Sequence, residues 1–221
     1  MIAKEKLNIL WSLEQTAEKY ADRVAVSDVN QELTWKELVK KAQVIGAELS
    51  EKVQPGNPVP VLLEKSSETL AVMLGIVYAG CFYVPVNPMN PTERLRKIME
   101  KLDPEVIISD EKGKEQLAAI GNGLENKVMG PEALKTATGT ELSEEQYSRL
   151  EQIQGQWKET DVLYGIFTSG STGTPKAIVV SHGAASRFIR HFTEIFDRGT
   201  ACFDTEGIFF NTAETSGLSL R

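Results

Sequence analysis

Apolar and polar positions follow a helical period in some stretches of the chain and a strand-like pattern in others. Residues 9–20 carry apolar side chains at helical spacing, which predicts a first surface helix. Residues 23–27 and the polar turn after them predict a small β-hairpin. Thr34 and Glu37 have the spacing of a capping box, so we expect a second helix to begin there and to continue to about residue 51.

Strands and helices alternate through the middle of the chain. The pattern predicts strand 59–63, helix 70–79, strand 82–86, helix 91–102 and strand 105–109. Ser66 is placed to cap the first of these helices and Gly80 to end it, and Pro91 is expected at the first helical position of the second. Such alternation is typical of parallel βαβ units, and it predicts an α/β fold with a layered parallel sheet.

Two further stretches need an interpretation. Residues 69–86 contain no charged side chain and approach the minimum length of a membrane span, but Gly80 and Pro85 interrupt them, which favours a buried helix followed by a strand. Residues 112–159 are less regular and predict a peripheral connection with an acidic helix at 143–152. The glutamates of that helix are interpreted as a solvated face and not as metal ligands.

Composition narrows the possible functions. A length of 221 residues with 41% hydrophobic side chains is enough for one large domain or two small ones. The formal net charge of −7 offers no broad basic surface, so nucleic-acid and anionic-membrane partners are not expected. Cys81 and Cys202 have no metal-site spacing, and residues 1–6 do not resemble a secretory signal, which makes the cytoplasm the expected location.

The most informative segment runs from residue 164 to residue 180. An apolar strand leads into the loop Thr-Ser-Gly-Ser-Thr-Gly-Thr-Pro-Lys, which starts at Thr168 and ends at Lys176, and a second apolar strand follows. Glycines allow backbone N–H groups to converge on an anion, hydroxyls donate to phosphate oxygens, and the lysine adds a positive charge. An ordinary turn is the alternative for a generic cluster of this composition. The nucleotide-triphosphatase P-loop is excluded because Gly170 and Gly173 are too close together and Pro175 precedes the lysine.

The order of these residues closely resembles the phosphate-loop signature of the adenylate-forming enzymes, which include acyl-CoA synthetases, luciferases and the adenylation domains of nonribosomal peptide synthetases. Residues 33–38 and 78–88 are similar to two further family segments, and residues 91–95 are in the style of peptide synthetase adenylation domains. The agreement in order and spacing extends from about residue 7 to residue 191, which is most of the chain.

The resemblance implies that ATP and a carboxylic acid, an amino acid by similarity to the peptide synthetases, react to an acyl-adenylate and pyrophosphate. Magnesium is the implied metal cofactor, and a carrier-protein phosphopantetheine or CoA is the implied thiol acceptor. Lys176 is implied as the catalytic charge on the departing pyrophosphate. The implied ATP phosphate contacts are Thr168, Ser169, Gly170, Ser171, Thr172, Gly173 and Lys176. Ala177 departs from the glycine of many members, and His182 aligns with a histidine for which a packing role is favoured over proton transfer.

The resemblance also bears on the extent of the chain. Family members are more than twice as long, and their adenine, ribose, magnesium and carboxylate contacts lie in later segments, so residues 1–221 are expected to be the N-terminal portion of an adenylation domain. No metal ligand is therefore predicted here. Two alternatives stay open: a remnant without catalytic activity that binds nucleotide weakly or serves as an interaction module, and a fragment of an acyl-CoA synthetase.

Overall fold

A six-stranded, mostly parallel sheet forms the centre of the protein, and a small second sheet lies beside it. The computed structural model describes residues 8–130, 141–168, 175–197 and 219–220. The helices are α1 Ile9–Lys19, α2 Trp35–Ser50, α3 Ser67–Tyr78, α4 Thr92–Leu102, α5 Glu111–Ile120, α6 Glu144–Gly155 and α7 His182–Asp197. The strands are β1 Val24–Ser27, β2 Glu32–Thr34, β3 Pro58–Leu62, β4 Phe82–Pro85, β5 Ile107–Ser109, β6 Val128–Met129, β7 Val162–Thr168, β8 Lys176–Ser181 and β9 Ser219–Leu220.

The large sheet has the strand order β6-β5-β3-β4-β7-β8, and every neighbouring pair is parallel except the last. This confirms the α/β fold with a layered parallel sheet, and β8 is the one described strand of this sheet that runs antiparallel to its neighbour. Only residues 169–175 connect β7 to β8, which is too short a connection for a parallel crossover, so the chain returns antiparallel. The small sheet has the order β2-β1-β9, and its β1–β2 pair is the predicted hairpin.

Helices cover both faces of the large sheet because successive strand residues point to opposite sides. Val59 and Val61 of β3 join the larger hydrophobic cluster, which includes side chains of α1, α2 and α3. Leu62 of the same strand joins a second cluster with side chains of α4 and α5. The result is a three-layered arrangement in which the parallel strands are buried from both sides.

Helix α2 begins as the sequence predicts. The Thr34 hydroxyl accepts a hydrogen bond from the Glu37 backbone N–H at 3.2 Å, and the Glu37 carboxylate accepts one from the Thr34 N–H at 2.8 Å. Two N–H groups that the first helical turn leaves unpaired are satisfied in this way. Helix α6 begins with a second capping box, between Ser143 and Gln146, and confirms the predicted acidic helix.

The start of α4 differs from the expectation. Pro91 occupies the capping position and not the first helical one, because its carbonyl accepts hydrogen bonds from the N–H groups of Arg94 and Leu95. The side chain of Asn87 instead accepts from the Met89 N–H in the turn before the helix. The preference of proline for the first helical position placed the start of α4 one residue early. That preference reflects only the missing N–H of proline, and it does not show which carbonyl accepts the first hydrogen bond of the helix.

The region predicted to be irregular contains more structure than expected. Helix α5 begins at a side-chain cap from Asp110, and a short 3-10 helix at Leu124–Lys127 leads into β6 at the sheet edge. Gly113 and Leu117 are the buried residues of α5, so its apolar periodicity is weak, and β6 has only two residues. Both elements depend on contacts with β5 and its cluster, which local pattern does not display.

Helices α2 and α3 pack closely enough that glycine is required at their contact. A Cβ on Gly46 would lie 2.4 Å from the Cβ of Tyr78, and one on Gly75 would lie 2.4 Å from Cγ2 of Ile45. Helix α3 is almost wholly buried, and Gly80 with φ of 77° follows it, as predicted. Within the described residues, no helix is long and apolar enough to cross a membrane.

Candidate phosphate-binding site

Strands β7 and β8 bring the two ends of the predicted phosphate loop together. Thr168, the last residue of β7, pairs with Lys176, the first of β8, and the Thr168 hydroxyl donates to the Lys176 carbonyl at 3.5 Å. The five predicted contacts between them, Ser169, Gly170, Ser171, Thr172 and Gly173, lie outside the described residues and stay predictions. The antiparallel pair therefore fixes where the loop leaves the sheet and where it returns.

The loop starts at the carboxyl edge of the sheet, at a point where the chain connections diverge. From β4 the chain crosses through α4 to β5, on the far side of β3, whereas from β7 it continues to β8 in the opposite direction. In open α/β sheets, a crevice forms between adjacent strands whose connections leave in opposite directions, and ligands bind there. The end of β4 and Thr168 lie where this rule expects the crevice, since β4 and β7 are parallel neighbours.

Lys176 is exposed at the start of β8, and no carboxylate among the described residues forms a salt bridge with it. Its positive charge is thus not neutralised by the part of the protein that the structure describes. In a chain with a formal net charge of −7, such a lysine provides local positive potential beside the loop. The role of Lys176 as a phosphate contact stays a prediction, and the described residues offer no carboxylate that competes for its charge.

Arg94 reaches the same place from a different element. It lies in the first turn of α4, and its guanidinium donates to the Phe167 carbonyl, one residue before Thr168, at 3.4 Å. The contact joins residues 73 positions apart in the sequence. In the sequence, Arg94 belongs to the segment 91–95 that is similar to peptide synthetase adenylation domains, and the sequence predicts no role for it. Nothing in the local pattern indicates the contact, which arises because β4 and β7 are neighbours in the sheet.

Two stacked tyrosines support the strands beneath the loop. The rings of Tyr83 on β4 and Tyr164 on β7 are 5.6 Å apart with planes 20° from parallel. Tyr83 is buried, and burial raises its pKa well above the ordinary tyrosine value, so the phenol stays neutral. This contact holds together the two strands whose carboxyl ends lie where the crevice is expected.

His182 is a core residue at the start of α7. Its side chain is 3% exposed and stacks on Trp157 with ring centroids 5.4 Å apart. Burial lowers its pKa to about 4, and the charge of Asp161 opposes that shift only in part. Its Nδ1 has no hydrogen-bond partner within the described residues. These surroundings favour the packing role over proton transfer. His191, on the same helix, is exposed.

Metal and cysteine chemistry receive little support from the described residues. They contain no group of three or more histidine, cysteine, aspartate or glutamate side chains placed to hold a metal ion. Cys81 is buried with a free thiol, and burial raises its pKa to about 12, so the nucleophilic thiolate is suppressed. Cys202 lies outside the described residues.

Comparison with known proteins gives consistent matches. The profile of a family described as AMP-binding enzyme matches residues 13–212. Bacitracin synthase 1 of Bacillus licheniformis is 34% identical over 170 residues, which cover 76% of this chain and 3% of that protein. Tyrocidine synthase 1 of Brevibacillus parabrevis is 29% identical over 197 residues, which cover 89% of this chain and 17% of that protein. The chain therefore spans a minor part of the length of these relatives.

Solved structures share the fold. The crystal structure of VinN superposes with a TM-score of 0.71 at 23% identity, covering 86% of this chain and 50% of that one. FmoA3, a nonribosomal peptide synthetase in its AMPPNP-bound form, superposes with a TM-score of 0.70 at 24% identity, covering 87% of this chain and 19% of that one. At these identities, the likeness establishes the α/β architecture alone.

Proposed function

This chain belongs to the AMP-binding enzyme family and is similar to peptide synthetase adenylation domains, and from that premise we propose that it supplies the phosphate-binding part of an ATP-dependent ligase. In the proposed reaction, a carboxylic acid attacks the α-phosphorus of ATP. An acyl-adenylate forms and pyrophosphate leaves. Residues 1–221 would act as the N-terminal portion of the adenylation domain, a proposal that the coverage of half of the VinN chain supports.

The observation that carries this proposal is the pairing of Thr168 with Lys176 at the carboxyl edge of the sheet. Both ends of a hydroxyl- and glycine-rich loop are held there, next to a lysine without a carboxylate partner in the described part of the chain. We propose that the loop N–H groups and hydroxyls, together with Lys176, hold the β- and γ-phosphates of ATP. Negative charge grows on pyrophosphate as the bond to the α-phosphorus breaks, so groups already aimed at it lower the barrier.

The seven proposed contacts have different roles. Ser171 and Thr172 donate hydroxyl hydrogen bonds, Gly170 and Gly173 allow close approach of the backbone, and Lys176 supplies the charge. Thr168 and Ser169 complete the set at the end of β7. Ala177, in place of glycine, removes no donor because its backbone N–H is retained.

The acid is proposed to be an amino acid because the similar relatives are peptide synthetases. One fold neighbour, VinN, has been solved with 3-methylaspartate and with L-aspartate, which shows an amino-acid ligand class for that protein. The acceptor thiol would then belong to a carrier protein or to CoA. Magnesium is proposed to accompany ATP, and none of the described residues is assigned as its ligand because they form no suitable cluster.

Nucleotide binding provides the first test. We expect the chain to bind ATP more tightly than AMP, because the loop contacts the β- and γ-phosphates that AMP lacks. Lys176→Ala should weaken ATP binding about 10- to 100-fold, the range for a hydrogen bond to a charged group, and leave AMP binding unchanged. Lys158→Ala is the matched control, since Lys158 is exposed near the opposite end of β7. Equal binding of ATP and AMP, or of ATP to wild type and Lys176→Ala, would contradict the proposed site.

Exchange between ATP and labelled pyrophosphate tests the reaction itself. In a complete enzyme that contains this chain as the proposed N-terminal portion, a panel of amino acids and short acids should include one that supports exchange. The responding class identifies an amino-acid or an acyl substrate. Exchange should be about 10- to 100-fold slower in Lys176→Ala and unchanged in Lys158→Ala. ATP binding without exchange for any acid would refute the ligase activity and favour the remnant that only binds nucleotide.

A further inference from the structure

Arg94 makes a contact that its own helix does not explain. It occupies the first turn of α4, where the helix dipole disfavours a positive charge. The neighbouring Arg96 pairs with the carboxylates of Glu93 and Glu100 on the same helix. The partner of the Arg94 side chain within the described residues is instead the backbone carbonyl of Phe167, at 3.4 Å.

The carbonyl that Arg94 contacts lies at the end of β7, where the predicted phosphate loop starts. Phe167 precedes Thr168, so its carbonyl belongs to the peptide unit that leads into the phosphate loop. The Phe167 side chain packs against the hydrophobic cluster under α4, while β8 is the last strand of the large sheet among the described residues and exposes Lys176 to Val179. In this part of the chain, the β8 end of the loop is therefore exposed, and the β7 end has a hydrophobic cluster below it and a guanidinium beside it.

We propose that Arg94 is a positioning residue for the proposed phosphate site, and that it acts by holding the Phe167 carbonyl and thereby the Thr168 end of β7. This inference rests on the proposed function for its consequence, because Thr168 is a proposed phosphate contact that is then held in place before the phosphates bind. Preorganised donors bind an anion more tightly than donors that must first be ordered. Arg94 is thus the connection between α4 and the nucleotide site.

Hydrogen exchange and nucleotide binding test the proposal together. Arg94→Met removes the donor but keeps an apolar stem of similar length, and Arg96→Met removes an equal charge from the same helix without touching β7. We expect Arg94→Met to speed exchange of the Thr168 and Lys176 amides and to weaken ATP binding about fivefold, the effect of one ordinary hydrogen bond, with AMP binding unchanged. Arg96→Met should change neither measurement, and Arg94→Lys should restore part of both.

The outcomes separate this proposal from the function on which it rests. If wild type does not bind ATP, the proposed function fails, and exchange at Thr168 and Lys176 still decides the role of Arg94. If ATP binds and Arg94→Met matches wild type in exchange and affinity, the positioning role is wrong. Faster exchange limited to α4 would also overturn it, by showing a role in the helix alone. Arg94→Gln repeats the test if Arg94→Met fails to fold.

Discussion

Substitution of Gly46 by alanine tests the packing of α2 on α3. The new Cβ would lie 2.4 Å from Tyr78 Cβ, 3.0 Å from the Gly75 carbonyl oxygen and 3.4 Å from the Ala79 backbone nitrogen. Carbon atoms pack at about 3.5 to 4 Å, so the first contact is more than 1 Å too short. A Cβ and two backbone atoms cannot rotate away, and the two helices must therefore separate.

The expected loss of stability follows from two opposing effects. Overpacking a close-packed core costs about 3 kcal/mol at the upper end of the usual range, and this site is at that end because the obstructing atoms are rigid. Alanine favours the helix over glycine by about 1 kcal/mol. The free energy of unfolding should then fall by about 2 kcal/mol, a large part of the stability of an ordinary domain.

Urea unfolding followed by circular dichroism measures this loss. The midpoint should fall while the dependence of the unfolding free energy on urea stays the same, because the surface exposed on unfolding does not change. Gly155→Ala is the matched control: Gly155 ends α6, and a Cβ there meets nothing within 4 Å. That variant should be as stable as wild type or more so. If Gly46→Ala were equally stable, the helices would not be in close contact, and the reasoning would be refuted.

Three further perturbations have expected outcomes. Asp28 accepts hydrogen bonds from the backbone N–H and the hydroxyl of Ser67, and the backbone bond is the main reason that its pKa is lowered to about 2. Asp28→Asn should therefore lower the free energy of unfolding by about 1 kcal/mol at pH 7, after allowance for solvent screening. Wild type should lose that contribution as the pH falls from 4 to 2, and equal acid titrations of the two proteins would contradict this. His182 has its pKa lowered to about 4 by burial, so the unfolded chain binds the extra proton first, and stability should fall by up to ~3 kcal/mol between pH 6.5 and 4. His182→Phe, which keeps a ring on Trp157, should remove that slope, and an unchanged slope would assign it to other groups. Strand β8 has no further neighbour among the described strands of the large sheet, and its Ile178 and Val179 are 54% and 57% exposed. Val179→Lys should therefore reduce any self-association measured by light scattering, whereas no reduction would exclude this strand as the contact.

Local signals predicted the elements that depend on neighbours in the sequence. The capping box of Thr34 and Glu37 marked the start of α2, and Gly80 marked the end of α3, because each satisfies backbone groups within a few residues. Short elements escaped prediction when their stability comes from distant contacts. Helix α5 buries only Gly113 and Leu117, and β6 is a two-residue strand paired with β5.

The same division applies to the candidate site. The order of hydroxyls, glycines and lysine from Thr168 to Lys176 is a local pattern, and it was sufficient to recognise the loop and its family. The sheet decided three further features. Thr168 pairs with Lys176, β8 runs antiparallel, and the loop starts where the connections from β4 and β7 diverge. No spacing rule reaches across such distances.

The sequence by itself determined the family and the alternation of strands and helices, and it predicted the phosphate loop, because each of these depends on residues within a few positions of one another. Only the tertiary structure decided the close contact of Gly46 with α3, the hydrogen bond from Ser67 to the Asp28 carboxylate and the contact of Arg94 with Phe167. Those contacts join residues between 29 and 73 positions apart, and they form only when strand order brings helices and strand ends together.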